Sequence, residues 1–382
     1  MEALDRANEL LDGYAALVHR ELPADAQVFD VHTHLGDDID GMVGDRDELL
    51  GIQLAYGISR SYVFCLDEPD RHPAFAAAND RTLVHAAASD GALLPFVRLD
   101  LNESPIEEAV RCLDAGACGI KLHPRAQRFL PDDARLEPVF ALAAERDVPI
   151  LIHGGRGLPP IADSLGRLVD KHAPPALIIA HAGIVDLAAM ARNFSGRAGV
   201  FFDTSVWSPL DLLDLYRVVP PEQVVYASDY PYGRQPNSLL MALRTARAAG
   251  LDEAQVRMML GGTAARIADR LPPVPPSAPL GPDEVAHPVT FARIHQYLTM
   301  ASTMLWMRQP DTFGVLGLAL NACDEKANGH REETEQLREL LLATRELWEI
   351  AGAADDDHVV RRASRGAFRL VHLASVLSVT SG

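Results

Sequence analysis

The feature that most constrains the fold is a regular alternation of short apolar runs with helix-like stretches between residues 28 and 230. This alternation is typical of parallel β/α units. Eight apolar runs of strand length are present, at 28–32, 61–66, 93–99, 118–122, 148–153, 176–181, 199–204 and 224–229. Eight strands with helices between them favour closure into a (β/α)8 barrel, with a doubly wound open sheet as the alternative. No Gly-x-Gly-x-x-Gly motif follows the first run, which weakens a dinucleotide-binding interpretation.

The chain continues beyond this pattern into a different kind of sequence. Seven prolines lie between residues 271 and 288, and such a segment predicts a stiff linker. The residues after it carry only helical periodicity, which predicts helices at 289–308, 312–327, 332–351 and 357–378. We therefore expect three parts: a barrel with an N-terminal helix over 1–270, a linker over 271–288 and an all-helical domain over 289–382.

Composition limits the partners of this chain. Its formal net charge is −18, so it lacks the basic surface that nucleic acid or an anionic membrane requires. No apolar run reaches transmembrane length, the N-terminus lacks a signal-peptide layout, and the four cysteines show no C-x-x-C spacing. We therefore expect a cytoplasmic protein that acts on a small molecule, since local arginines can still attract an acidic ligand.

Residue types that bind metals stand at the ends of several apolar runs. His32 and His34 end the first run, and alternate residues of a strand project to the same side. Further candidates follow later runs: Lys121, His123, His153, His181 and Asp229. A barrel brings such strand ends to one rim. Nitrogen and carboxylate ligands without thiolate suit Zn²⁺, Mn²⁺ or Fe²⁺, and three or four of them with one open position make a catalytic site.

Five segments resemble the motifs of the amidohydrolase superfamily. They are FDVHTHLG at 29–36, GIKLHP at 119–124, IHGG at 152–155, AHAG at 180–183 and SDYP at 228–231. In this order they are most similar to the amidohydrolase-related branch (amidohydrolase 2), which includes metal-dependent hydrolases, lactonases and non-oxidative decarboxylases. The resemblance covers about residues 25–270 and leaves the helical tail unexplained.

The resemblance implies a metal site and two groups that move protons. By similarity, His32, His34, His153 and Asp229 would hold one divalent metal, for which zinc is expected first and manganese or iron are alternatives. His181 would act as a general acid or base beside the metal, or as a ligand of a second one. Asp229 could also take a proton from the attacking water. A neutral imidazole beside the metal is well matched to proton transfer at pH 7.

Substrate contacts are expected from Lys121, His123 and Arg156. In the mononuclear branch the strand lysine contacts substrate, whereas in binuclear members it is carboxylated and bridges two metals; we favour one metal here. Arg156 follows two glycines after the fifth run, where it could grip a substrate carboxylate in a bidentate fork. Further candidates for this role are Arg98, Arg125 and Arg234. Trp207 is expected either to wall the pocket or to serve in packing.

These residues support one main function and two alternatives. The main hypothesis is a metal-dependent hydrolase of a C–N or C–O bond in a small carboxylated molecule, such as an amide, lactone or ester. The first alternative is a metal-dependent non-oxidative decarboxylase of an aromatic or unsaturated acid, which would use the same ligands. The second is a catalytically silent binding scaffold, which the intact ligand set disfavours. The C-terminal helices are expected to mediate a homo-oligomer or to form a lid.

Overall fold

The computed structural model describes residues 2–281, 287–307, 309, 311–324 and 330–381. Within these ranges there are nine strands: β1 (Val28–Asp37), β2 (Val43–Gly44), β3 (Ile58–Cys65), β4 (Leu93–Arg98), β5 (Gly119–Leu122), β6 (Ile150–Ile152), β7 (Leu177–Ile179), β8 (Val200–Asp203) and β9 (Val224–Val225). The eight predicted runs therefore all contain a strand. The two-residue β2 was not predicted, because so short a strand carries no periodicity.

Eight of these strands form a parallel barrel. They follow the order β1-β3-β4-β5-β6-β7-β8-β9, and β2 adds to the outer end of β1 as an antiparallel edge. Backbone hydrogen bonds return from the end of β9 to β1, from Asp229 N to His32 O at 2.9 Å and from His34 N to Tyr230 O at 2.7 Å. The prediction of a (β/α)8 barrel with a C-terminal helical region is confirmed.

The lower barrel is packed, and the polar residues lie above it. The packed layer contains Phe29, Val31, Tyr62, Phe64, Phe96, Leu151, Ile178, Phe201 and Val225. Burial of each large apolar side chain contributes about 1.5–3 kcal/mol. The pairing of β1 with β3 shifts register between Asp30 and Thr33, and such a bulge re-aims the side chains that follow it. Consequently Val31 belongs to the packed layer while His32 and His34 face the lumen above it.

Helices cover the outside of the barrel and continue into the C-terminal region. They are α1 (Glu2–Glu21), α2 (Arg46–Tyr56), α3 (Ala76–Ala87), α4 (Pro105–Asp114), α5 (Leu136–Arg146), α6 (Ala162–His172), α7 (Leu187–Phe194), α8 (Pro209–Val218), α9 (Asn237–Ala248), α10 (Glu253–Arg257), α11 (Thr263–Ala268), α12 (Val289–Trp306), α13 (Thr312–Asp324), α14 (Arg331–Ala353) and α15 (Asp357–Thr380). The predicted helix at the N-terminus and the four beyond the linker are present within the described ranges. Residues 308 and 325–327 of two predicted helices lie outside those ranges. None of the helices described here combines the length and apolarity needed to cross a bilayer.

The C-terminal helices pack against the barrel. Helix α14 lies against α1, and α15 lies against α1, α8 and α9. The buried apolar side chains of this region belong to the same continuous core as those around the barrel. The described part of the linker also follows the barrel surface, since Leu280 N and Gly281 N both donate to Tyr216 O. The predicted linker residues 282–286 lie outside the described ranges. The division at 270 and 289 stays a prediction.

Candidate metal centre

Three of the predicted ligands converge at the rim of the barrel. His32 and His34 come from β1, and Asp229 follows β9 with a left-handed φ of 61°. One carboxylate oxygen, Asp229 Oδ1, lies 3.3 Å from Nε2 of both imidazoles. Ligand atoms of the three residues all lie within 4.8 Å of one another, a spacing that a single cation can bridge. Both histidines are buried, so the group is shielded from bulk water.

Asp203, at the end of β8, orients His32 and was not predicted. Its Oδ2 lies 2.8 Å from His32 Nδ1, and a carboxylate accepts, so Nδ1 carries the proton. The lone pair on His32 Nε2 therefore points towards Asp229 and towards Lys121 Nζ, which lies 3.1 Å away. A carboxylate behind a metal-binding imidazole is a common means of fixing its tautomer. The position of Asp203 after an apolar run resembles that of Asp229, and this signal could have identified it.

His181 is held in one tautomer by the segment after β8. Its Nδ1 lies 2.7 Å from Ser205 O and 2.9 Å from Ser205 Oγ. Because a carbonyl oxygen only accepts, Nδ1 is the protonated nitrogen and Nε2 carries the lone pair. Asp203 Oδ1 accepts from the Ser205 hydroxyl at 2.6 Å and from His181 N at 2.7 Å. One carboxylate therefore braces two imidazoles, those of His32 and His181.

His153 lies beside this group and presents an unprotonated nitrogen. Its Nδ1 is 3.0 Å from His181 Nε2, and since that nitrogen accepts, His153 Nδ1 donates. His153 Nε2 is then unprotonated, and it is buried without a hydrogen-bond partner among the described residues. Such an atom fits a metal ligand. A Cβ on Gly155 would lie 2.8 Å from His181 Cδ2 and 3.0 Å from His153 Cε1, so glycine lets the backbone pass over both rings.

Lys121 and His123 also face the lumen. Lys121 is fully buried, with Nζ 4.4 Å from the centre of the Phe64 ring. Burial lowers the pKa of Lys121 to about 7, although the nearby carboxylates of Asp229 and Asp203 oppose the shift. The ring of His123 stacks on that of His153 with centroids 4.1 Å apart. Both residues therefore lie where the sequence predicted, next to the candidate ligands.

The electrostatics of the centre favour neutral imidazoles. Burial lowers the pKa of His32, His34 and His153 well below the usual value, so each keeps a lone pair at neutral pH. Burial also raises the pKa of Asp229 well above its usual range, and the charge of Lys121 opposes that shift. Neutral nitrogen donors around a desolvated carboxyl group are a donor set that suits a divalent transition metal.

The structure distinguishes Arg156 from Arg98 as candidates for contact with a substrate carboxylate, which the sequence alone could not do. Arg156 is 74% exposed at its side chain and pairs with Asp211 at 3.2 Å, and it is not brought into the centre. Arg98 ends β4, is 2% exposed, and pairs in register with Lys121, so both side chains face the lumen. Its Nη1 donates to Cys65 O at 3.1 Å. Its Nε is buried without a partner, and no carboxylate among the described residues forms an ion pair with it.

Two further residues support the centre from outside the lumen. Asp30 Oδ1 accepts from His32 N at 3.2 Å and from Ser228 N at 2.9 Å, which ties β1 to the segment that carries Asp229. Burial raises the pKa of Asp30 to about 7. Both expectations for Trp207 have a counterpart in the structure, because its ring lies 4.7 Å from that of Phe368 in α15 and the residue also lines a small cavity beside Asp229.

Comparisons with known proteins identify the family and the fold. A family model described as amidohydrolase matches residues 29–269, which is more than half of the chain. The crystal structure of 2,6-dihydroxybenzoate decarboxylase from Rhizobium superposes with a TM-score of 0.50 and 16% identity, covering 64% of this chain and 98% of that one. A probable 2-pyrone-4,6-dicarboxylic acid hydrolase from Acinetobacter baumannii, with citric acid bound, gives 0.50 and 10%, covering 64% and 99%. At these identities the likeness establishes the fold. No curated protein sequence matches significantly.

Proposed function

Because this chain belongs to the amidohydrolase family, we propose that it is a metal-dependent hydrolase of a C–N or C–O bond, in an amide, lactone or ester, of a small carboxylated molecule. The observation that carries the proposal is the convergence of His32, His34 and Asp229 at the rim, beside an imidazole whose tautomer is fixed for proton transfer. The intact donor set argues against a silent scaffold.

We assign one divalent transition metal, zinc first, to His32, His34, His153 and Asp229. The donors fit such an ion, because Asp203 leaves His32 Nε2 unprotonated and His153 Nε2 is an unpartnered buried nitrogen. When bound, the metal supplies Lewis acidity, which lowers the pKa of water and polarises the substrate carbonyl. His153 contacts His181 and does not belong to the close group of His32, His34 and Asp229. Its assignment as a ligand therefore rests on its lone pair and on family resemblance.

His181 and Asp229 move protons in this proposal. The lone pair of His181 Nε2 accepts from His153 Nδ1 in this structure, so His181 takes up a proton there when that bond opens, and the product is an imidazolium. Its opposite N–H is already held by Ser205 and, through the Ser205 hydroxyl, by Asp203. This arrangement stabilises the charged form while keeping the ring in place, which is what general acid–base catalysis requires. Asp229 Oδ1 lies 3.3 Å from Nε2 of both His32 and His34, and the other carboxylate oxygen can accept a proton.

We propose that Arg98, with Lys121 and His123, receives the carboxylate of the substrate. Burying a guanidinium without a counter-charge is costly, and the Arg98 side chain makes one hydrogen bond, to Cys65 O. Lys121 lies beside it in register, which adds a second cationic group to the same wall of the lumen. A carboxylate placed there would satisfy Arg98 Nε and pair with both side chains. Arg156, already paired and exposed, is a weaker candidate.

This assignment predicts opposite effects of one substitution on binding and on stability. Arg98→Met should raise KM for a carboxylated substrate by about 10–100-fold, because a charge-assisted bond is lost. The melting temperature should stay the same or rise, because an unpaired buried charge is removed. The matched control is Arg156→Met, which should change KM less than about twofold. Steady-state kinetics and thermal unfolding measure both quantities, and equal KM changes in the two variants would contradict the assignment.

A substrate screen tests the reaction itself. Lactones, amides, esters and aromatic acids are incubated with the metal-loaded chain, and products are followed by mass spectrometry with carbon dioxide measured in parallel. Hydrolysis adds one water to the substrate and releases no gas. We expect this outcome, with activity lost on removal of the metal by a chelator. Turnover of none of the hydrolysable substrates would contradict the proposal.

The second candidate function, non-oxidative decarboxylation, is favoured by the position of Lys121. Its Nζ lies 3.1 Å from His32 Nε2, so a carboxylate held by Lys121 would lie next to the metal ligands. The same residues would then hold an aromatic or unsaturated acid over a C–C bond. Release of carbon dioxide from aromatic acids in the screen, without hydrolysis of any lactone, amide or ester, would establish this alternative.

A further inference from the structure

Helix α15 lies outside the family match at 29–269, yet it contacts two loops at the rim of the barrel. Phe368 and His372, one turn apart, face Trp207 with ring centroids 4.7 and 4.9 Å away. Arg369 Nη2 donates to Gln235 O at 2.9 Å in the loop after β9. Helix α15 therefore touches both the loop that follows β8 and the loop that follows β9.

These loops hold groups of the candidate metal centre. Ser205, two residues before Trp207, accepts from His181 Nδ1 through its carbonyl and its hydroxyl. A displacement of Trp207 therefore reaches the imidazole of His181 over two peptide units. Asp229 itself lies in the segment between β9 and α9. Helix α15, which lies outside the family match, therefore helps to hold both loops in place.

Of the two α15 residues whose rings contact Trp207, His372 is the polar one. It is 6% exposed, and its ring packs against that of Trp207. Burial lowers the pKa of His372 to about 4, and the nearby backbone of Trp207 opposes that shift. Its Nε2 is buried with no partner among the described residues, so Nδ1 is the nitrogen that can face the Trp207 backbone. His372 also lines a cavity of about 10 Å³, the size of one water molecule, together with Ser205 and Asp229. A buried imidazole with an unpartnered nitrogen is destabilising, and a purely apolar residue would avoid that cost.

We propose that His372 is a positioning residue for the active site: it fixes the Ser205–Trp207 segment and thereby the orientation of His181. The inference rests on the proposed acid–base role of His181. It also gives the C-terminal helices a role in completing the site, besides the predicted roles as an oligomer contact or a lid. None of the ligands proposed above comes from this region, so the effect on the reaction is transmitted through the backbone.

The test compares three variants of the full chain. His372→Leu removes the polar ring that packs on Trp207, whereas His372→Asn keeps a donor near the position of Nδ1. The control is His295→Leu, because His295 is also a buried histidine of the C-terminal region but pairs with Ser378 Oγ at 3.2 Å. Thermal unfolding establishes that each variant folds. If His372→Leu does not fold, His372→Gln replaces it, since its amide reaches the position of Nε2 and not that of Nδ1.

The first measurement is nitrogen NMR of histidine-labelled chain, in which the His181 resonances are identified by their loss in His181→Asn. We expect a single Nδ1–H tautomer in the native chain, in His372→Asn and in His295→Leu. In His372→Leu the His181 signals should show a mixture of tautomers. The second measurement is turnover: kcat should fall about 10–100-fold in His372→Leu with KM changed less than twofold, as for other residues that orient catalytic groups.

Two outcomes overturn the proposal. One is a His181 spectrum in His372→Leu that matches the native one. The other is an equal loss of kcat in His372→Leu and His295→Leu, which would indicate a general effect on packing. Failure of the proposed function is distinguishable: if His181→Asn leaves turnover unchanged, the acid–base role is wrong, while the NMR comparison still reports whether His372 positions the ring.

Discussion

Replacing His32 and His34 together by alanine is expected to reduce the metal content from about one ion per chain to below about a tenth of that value. The change removes two imidazole nitrogens and leaves Asp229 Oδ1 without either of its neighbours at 3.3 Å. Loss of a residue that only supports a ligand typically costs 10–100-fold in metal affinity, so the loss of two ligands should cost more. Elemental analysis of the purified native and variant chains measures the content directly.

The control for this experiment is His72→Ala. His72 lies with Asp100 and Glu103 in a second group of close ligand atoms, but its side chain is 57% exposed and already bonded to Glu103 Oε1 at 2.9 Å. We expect its substitution to leave the metal content unchanged. Unchanged content in the His32→Ala/His34→Ala variant would contradict the assigned ligands. Two ions per native chain would instead support the binuclear arrangement, with Lys121 carboxylated.

The barrel could be predicted because the strand runs are apolar and several of them end in a polar residue. That pattern placed His32, His34, Lys121, His123 and Asp229 at one rim, where the structure has them. The orientation of individual rings could not be predicted. It depends on Asp203, which pairs with His32 from 171 positions away in the chain and is in sequence one more polar residue at the end of a run.

The choice among arginines shows another limit of the sequence. Arg156 follows two glycines after a strand-end histidine, and this setting favoured it as the carboxylate receptor. In the structure Gly155 leaves room for the imidazoles of His153 and His181, and Gly154 leaves room for Ile179 and the Ala180 carbonyl. The Arg156 side chain turns outwards to Asp211. Arg98 stands at the end of an ordinary apolar run, and its burial follows from its register with Lys121. Register between strands is a tertiary property, so local pattern could not reveal it.

The C-terminal helices were predictable in extent but not in position. Their apolar periodicity requires a partner surface, and a helical bundle, a second subunit or the barrel would each satisfy it. In the structure a large part of that surface is α1, α8 and α9. Met300, Trp306 and Phe313 stay substantially exposed on α12 and α13, so the predicted homo-oligomer contact is still to be tested. Size-exclusion chromatography with light scattering of the full chain would test it.

The second large effect is expected on turnover, from a substitution of His181. His181→Asn should lower turnover by about 10²–10⁴-fold, the range for loss of a general acid or base. The metal content should stay near the native value. Asparagine can keep the donor that bonds to Ser205 O, but it has no group at the position of Nε2. The control is Ser205→Ala, which leaves the carbonyl bond intact and removes the hydroxyl between His181 and Asp203, so a smaller loss of about tenfold is expected.

The pH dependence of turnover gives an independent check on this role. Burial lowers the pKa of His181, and Asp203 opposes part of the shift. The neutral base is therefore present at neutral pH, and kcat/KM should fall only as the pH drops below the ordinary imidazole value. This acid limb should disappear from the residual activity of His181→Asn. Loss of the metal in that variant would identify His181 as a ligand, and an unchanged acid limb would assign the titration to another group. Either result would require a different base, for which Asp229 is the candidate because its Oδ1 lies 3.3 Å from Nε2 of both β1 imidazoles.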